Sequence, residues 1–153
     1  MISAPVELDQ RDSSVAKAIR EVQRAAYAVE AELTGFDAIP PLRESAEVVR
    51  TLDLVFLGMH ERTRLVALAG YMRNGDTVDI DRVAVHPDYF RRGFASRLLT
   101  TIHRYEEDAS TFTVSTGRAN TPAIALYERL GYVIRAHEHL PEGIEITRLT
   151  RTT

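Results

Sequence analysis

No cysteine occurs among the 153 residues, which excludes a disulfide framework, a thiolate zinc site and a cysteine nucleophile together. Any chemistry has to come from other side chains or from the backbone. Long hydrophobic runs are also missing. The longest apolar stretch, residues 65–72, falls far short of the ~20 residues that a bilayer span requires. The first fifteen residues include Glu7, Asp9, Arg11 and Asp12, and the expected address is the cytoplasm. Nor is there an excess of positive charge. Nineteen Lys and Arg stand against 22 Asp and Glu, a formal net charge of -3, which provides no basic surface for a nucleic-acid backbone. Neither a nucleic-acid nor a membrane partner is expected.

What is present suits one domain over residues 1–153: 44% hydrophobic and 27% charged residues, with no internal repeat, low-complexity tract or Gly/Ser-rich linker. Apolar positions Val15, Ala18, Ile19, Val22, Ala26, Val29 and Leu33 follow the three-four spacing of an amphipathic helix, with Ser13 or Ser14 available as its cap. Gly35 and Pro40-Pro41 break it, and a shorter helix is expected over 45–52. A meander follows: strands over 54–59, 65–72 and 77–85, with an Asn74-Gly75 turn between the last two. In the third of these strands Ile80 is followed by apolar Val83 and Val85 rather than by an apolar residue at 82. A β-bulge near Asp81-Arg82 explains this slip in alternation; an ordinary sheet edge explains it equally well. A helix over 91–108, a strand over 111–116, a helix over 121–130 and strands over 132–137 and 143–149 complete a mixed α/β layout around a single sheet.

The joint between the third strand and the following helix conflicts with helix electrostatics. Arg91 and Arg92 sit where a helix prefers acids, and Phe90 holds the expected cap position although it has no oxygen to offer. Open amides, two guanidinium groups and the small residues Gly93, Ala95 and Ser96 describe a phosphate or diphosphate cradle. The plainer reading has both arginines in solvent and Gly93 easing helix packing. The acidic run Glu106-Glu107-Asp108 reads as a solvated face. Further on, Asn120 as N-cap, Pro122 in the first turn and Gly131 beyond the end specify a short helix. Tyr127 on that helix is either a packed aromatic or an acid.

The segments 79–96 and 120–132, together with the order of elements, resemble the GNAT superfamily of N-acetyltransferases, which bind acetyl-CoA. The resemblance covers nearly the whole chain and implies a single α/β (α+β) domain with a mainly antiparallel mixed sheet flanked by helices, in the order β-α-α-β-β-β-α-β-α-β-β. The family's diphosphate loop begins with Gln or Arg, then two variable residues, Gly, one variable residue, and Gly or Ala. Arg91, Arg92, Gly93, Phe94 and Ala95 fill the last five places, while Phe90 in the first removes one side-chain donor and leaves the backbone amides. With Ser96 these residues form the implied cofactor-binding loop. By the same resemblance Val83, Ala84 and Val85 bond the pantetheine arm, Asn120 and Tyr127 match the family's later Asn and Tyr, and a backbone amide near Val83 faces the thioester oxygen.

Attack of an amine on a thioester needs an oxyanion donor and a proton for the departing thiolate. Tyr127, with an ordinary pKa of about 10 against about 8.5 for a thiol, suits the acid role. Asp79 aligns with a catalytic Glu of some relatives and is the expected base, with Asp81 as its rival; pairing with Arg82 or Arg73 is the structural alternative for both. His137 and His139 bracket Glu138 but lack a third metal ligand, so no metal is expected; a substrate role or solvent exposure remains for them. Tyr27 and Glu30, off the apolar stripe of the first helix, and the loop over 35–42 are expected on the acceptor side. The implied activity is N-acetylation of a primary amine on a small molecule or peptide N-terminus, with acetyl-CoA as cosubstrate and a homodimer as one compatible assembly. A non-catalytic acyl-CoA-binding sensor is the alternative. A nucleotide-binding protein of other chemistry ranks last, because no Walker-type Gly-Lys-Ser/Thr is present.

Overall fold

The computed structural model describes residues 1–36 and 39–153. Seven strands form one sheet in the order β1-β2-β3-β4-β5-β7-β6. Strand β1 is Val6–Leu8, helix α1 Ser13–Thr34, α2 Pro40–Arg43 and α3 Ala46–Thr51. The meander is β2 Val55–Glu61, β3 Arg64–Asn74 and β4 Thr77–Val85, followed by a 3₁₀ turn at Pro87–Tyr89 and α4 Phe94–Tyr105. Strand β5 Thr111–Gly117, α5 Thr121–Arg129, β6 Val133–His139 and β7 Glu145–Thr152 close the chain. All pairings are antiparallel except β4 with β5.

Helices cover both faces, which explains the unbroken apolar run of β3, because a strand buried on both sides loses its polar alternation. On one face α4 seals Leu57, Val66, Ile80, Phe112 and Leu149. On the other, α1 and α3 seal Phe56, Leu68 and Ala84. Burying a side chain such as Phe112 or Leu98, both fully inaccessible, contributes about 2–3 kcal/mol each. Among the described residues no helix is long and apolar enough to cross a membrane.

Local details depart from the sequence expectation. The cap of α1 is Asp12, not Ser13 or Ser14; its carboxylate accepts from the Ser14 amide at 2.8 Å and the Val15 amide at 3.4 Å, so the helix starts one residue earlier. A third helix, α2, forms where only a break was expected, since the fixed φ of Pro40 and Pro41 suits a first helical turn. Helix α4 spans neither 91–93 nor 106–108, and its cap is Gly93 rather than Phe90. The acids after α4 are not merely solvated: Glu106 and Asp108 accept from Arg73 at 3.1 and 2.7 Å.

Of the two explanations for the slip in alternation, the structure shows the bulge. Gly70 pairs with Arg82 and Tyr71 with Ile80, leaving Asp81 as the extra residue on β4. That single residue keeps Ile80, Val83 and Val85 on the α4 face and turns Arg82 inward on the other, where it is buried.

Candidate active site

Strands β4 and β5 pair only from Thr77–Thr111 to Ile80–Val114. Beyond that point the bulge bends β4 away while β5 runs on beside β7 through Gly117, so the sheet opens into a wedge. The His86 amide donates to the Val66 carbonyl at 2.9 Å. Through the alternation of the register, the backbone groups of Ala84 and Arg82 therefore turn toward β3, and those of Val83 and Val85 toward the wedge. Of the three residues expected along the pantetheine arm, only Val83 and Val85 present backbone groups to the opening. The Val83 carbonyl is already used, because the Tyr27 hydroxyl donates to it at 3.2 Å.

A cavity of about 320 Å³ occupies the wedge. Tyr27, Glu30, Asp81, Val83, Asn120 and Tyr127 all line it, on four different elements and loops. Tyr127 is held at its edge by the α5 helix that Asn120 caps, accepting the Ala123 amide at 3.3 Å, and its ring leans on Tyr132 at 5.7 Å between centroids. Its hydroxyl has no hydrogen-bond partner among the described residues. Burial, then the nearby Glu30 and Tyr132, push its pKa well above the ordinary value, so the phenol stays protonated across the physiological range. Tyr27 is shifted the same way, by burial first and then by Glu30. One oxygen of Glu30, Oε1, accepts from Thr116 Oγ1 at 3.1 Å and from Asn120 Nδ2 at 3.3 Å.

Asp79 lies outside the cavity lining. It precedes the bulge, is exposed, and accepts from Thr113 Oγ1 at 2.8 Å. Asp81 does line the cavity, but its carboxylate accepts from Arg82 Nε at 2.7 Å, the pairing weighed from sequence. Arg73 pairs instead with Glu106 and Asp108. His137 bonds Thr147 Oγ1 at 2.9 Å, and no group of three metal-ligating side chains occurs among the described residues. Of the loop over 35–42, Phe36, Ile39, Pro40 and Pro41 line the cavity; Asp37 and Ala38 lie outside the described residues.

At the start of α4 the backbone turns through Arg91 at φ 63° and Gly93 at φ 78°. No side chain among the described residues caps the helix, and the first intrahelical bond runs from Arg97 to Gly93, which leaves the amides of Phe94, Ala95 and Ser96 without helical acceptors. A Cβ on Gly93 would meet nothing within 4 Å, so the space before these amides is open. The Phe94 side chain is buried and stacks on Tyr89 at 5.9 Å, leaving only its backbone to a ligand. Arg92 lies over the Tyr89 ring at 5.1 Å, and Arg91 is exposed. This donor set, with the open β4 edge leading toward it, fits a diphosphate joined to an extended arm.

Sequence reasoning missed Thr116, Arg82 and the apolar wall from Leu140, Ile144 and Ile146, all of which line the cavity. An arginine at the position where the β4 alternation slips was the one available signal for Arg82.

Comparison with known proteins agrees with this geometry. Residues 53–134 match the model of the acetyltransferase (GNAT) domain. The UPF0157 protein YqkA of Bacillus subtilis (strain 168) is 35% identical over 125 residues, which cover 82% of this chain and 36% of YqkA, so the chain spans about a third of that relative's length. The ribosomal-protein-S18-alanine N-acetyltransferase of Escherichia coli superposes with a TM-score of 0.78 at 19% identity, covering 99% of this chain and 94% of its own. The PaiA N-acetyltransferase of Thermoplasma acidophilum, solved in complex with coenzyme A, superposes with a TM-score of 0.78 at 15% identity, covering 100% and 99%. With more than half of its length matched by the family model and the same fold in these structures, the chain belongs to the GNAT acetyltransferase family.

Proposed function

We propose that this domain transfers the acetyl group of acetyl-CoA to a primary amine by direct attack on the thioester. One observation carries the reading: the free Val83 amide edge and the unpartnered Tyr127 hydroxyl face one cavity where β4 and β5 part. The coenzyme A held by the Thermoplasma relative supports the choice of cosubstrate.

In this reading the amides of Phe94, Ala95 and Ser96, with Gly93 giving clearance and Arg91 and Arg92 adding charge, hold the diphosphate. Val85 bonds the pantetheine arm as an added strand would, the Val83 amide being kept for the acyl end, and Asn120 borders its far side. Acetyl-CoA supplies an acetyl group already activated as a thioester. The Val83 amide donates to the oxygen on which charge develops, a contact that strengthens in the transition state. Tyr127 donates its hydrogen to the departing sulfur and recovers one from the attacking nitrogen. Its raised pKa keeps it from ionising in the resting site. Asp79 is too far out to take the amine's first proton and Asp81 is engaged by Arg82, so that proton leaves to solvent through the cavity mouth. Tyr27 and Glu30 receive the acceptor.

The test is thiol release by purified protein given acetyl-CoA and a panel of amines. Amine-dependent release supports the reading. Calorimetric binding of coenzyme A without amine-dependent release makes the domain a sensor instead, and no heat of binding removes the cofactor assignment altogether.

A further inference from the structure

Among the described residues, the charged groups lining the cavity are Glu30, Asp81 and Arg82. Asp81 and Arg82 neutralise each other, and Glu44 adds a second carboxylate on Arg82 at 2.6 Å. Glu30 differs. It is only half exposed, has no cationic partner among the described residues, and spends one oxygen on the neutral donors Thr116 and Asn120, so Oε2 is left without a bond. An unpaired carboxylate facing a largely apolar enclosure is unfavourable unless a cation answers it. Thr116 and Asn120 fix the carboxylate in place, and Asn120 is itself fixed as the cap of α5.

Two stretches of the lining are apolar. Ile39, Pro40 and Pro41 stand on the α2 side, and Leu140, Ile144 and Ile146 on the β6–β7 side. Among the described residues, Asp81 is already held by Arg82, and Arg82 by Asp81 and Glu44, so a second ammonium group or a carboxylate finds no uncommitted partner in the cavity; a run of peptide groups laid against the six apolar residues would be desolvated without compensation. The cavity of about 320 Å³ also has to admit the acetyl end of the cosubstrate, which leaves room for a compact acceptor.

We propose that the acceptor is a small monoamine with an apolar body, an arylalkyl- or alkylamine, whose ammonium group is bound by Glu30 and whose body lies against the Ile39–Pro41 and Leu140–Ile146 walls. This inference rests on the acetyltransferase reading above and narrows its acceptor. Polyamines and free amino acids are selected against because no uncommitted counter-charge remains for them among the described residues, carboxylates also by Glu30, and peptide N-termini because their peptide groups would meet the apolar walls. Glu30 is a specificity residue; its charge holds the amine beside Tyr127 before a proton is lost.

The test compares phenethylamine with phenylalanine, which adds a carboxylate, with spermidine, which adds charges, and with an alanyl peptide. The wild type and Glu30→Gln are each measured for thiol release and for calorimetric binding of phenethylamine to the protein saturated with coenzyme A. The amide keeps an oxygen for Thr116 and Asn120, so the variant retains the cavity's hydrogen bonds. The expected kcat/KM for phenethylamine exceeds that of the other three by at least about tenfold, and Glu30→Gln weakens phenethylamine binding by about tenfold or more while the KM for acetyl-CoA changes less than about twofold. Preference for spermidine, phenylalanine or the peptide, or unchanged phenethylamine binding in Glu30→Gln, overturns this inference and leaves the acetyltransferase reading standing. Failure of coenzyme A to bind removes both. If coenzyme A binds and no amine is turned over, loss of phenethylamine binding in Glu30→Gln still supports the site, and absence of binding to the wild type sinks it.

Discussion

The Arg82 guanidinium grips both carboxylate oxygens of Glu44, at 2.6 Å from Nη1 and 3.3 Å from Nη2. It also donates to Asp81 and to Gln23 Oε1 at 3.1 Å. Gln23 in turn donates to the Pro41 carbonyl at 3.2 Å. One buried cation thus ties the β4 bulge to α1 and to the segment that walls the cavity. Burial alone would lower the pKa of Arg82, and the bonds from Glu44 and Asp81 more than offset it, so the group stays charged.

With side-chain exposures of 5% for Arg82 and 12% for Glu44, removing the cation leaves poorly solvated carboxylates behind. Arg82→Met is expected to cost about 3 kcal/mol of unfolding free energy, read as a lower urea midpoint with an unchanged slope. A loss below about 1 kcal/mol would mean that the network is solvated and contributes little.

Tyr127→Phe removes one oxygen that has no bond to lose among the described residues, so stability should barely change. Turnover should fall by roughly 10²-fold or more if the hydroxyl serves the departing sulfur, with coenzyme A affinity near normal. Equal kcat in the variant and the wild type refutes the acid role.

Gly93→Asp probes the cradle without disturbing the core, because a Cβ there meets nothing within 4 Å. The positive φ of 78° costs about 1–2 kcal/mol, while the carboxylate repels the diphosphate. Coenzyme A affinity is expected to drop by about tenfold or more in a protein that still melts cooperatively. Retained affinity would place the diphosphate elsewhere.

His103 predicts an acid-sensitive step. Burial, assisted by Arg151, lowers its pKa from 6.5 to about 4, while its Nε2 lies 2.8 Å from the Tyr132 hydroxyl. Because the folded value is the lower one, the unfolded chain binds the proton first as the pH falls. Stability is therefore lost between about pH 6.5 and 4 and levels off below for this group. The full shift corresponds to roughly 3 kcal/mol, and screening of this half-exposed ring reduces it to about 1–2 kcal/mol. Between pH 7 and pH 5 the wild type should lose more stability than His103→Gln by that order; equal losses would show that the ring is solvated.

The placement of Gln23, Glu44 and Arg82 also shows where sequence reading stops. In sequence, Gln23 looks like one polar residue on a helix and Glu44 like a loop acid, and neither hints at a partner 59 or 38 positions away. The slip in alternation at Asp81-Arg82, by contrast, was legible, because burial of one face forces alternation and an extra residue breaks it visibly, but the choice between a bulge and a sheet edge needed the pairing with β3. The α4 start was legible in its chemistry and displaced in its position: the open amides are there, but Gly93 in a left-handed turn ends the loop three residues later than Phe90 suggested.

Periodicity, caps and turns act over a few residues and hardly depend on what lies across the molecule, so the main helices and strands and the uncapped loop before α4 are written locally in the chain. Which groups share the cavity was set by how distant segments pack. Glu30 meets Thr116 across 86 positions and Asn120 across 90, Asp79 is left outside, and the Val83 carbonyl is taken by Tyr27. Those outcomes follow from where β4 bends away from β5 and how α1 lies across the gap, and such long-range packing leaves no periodic mark in the chain.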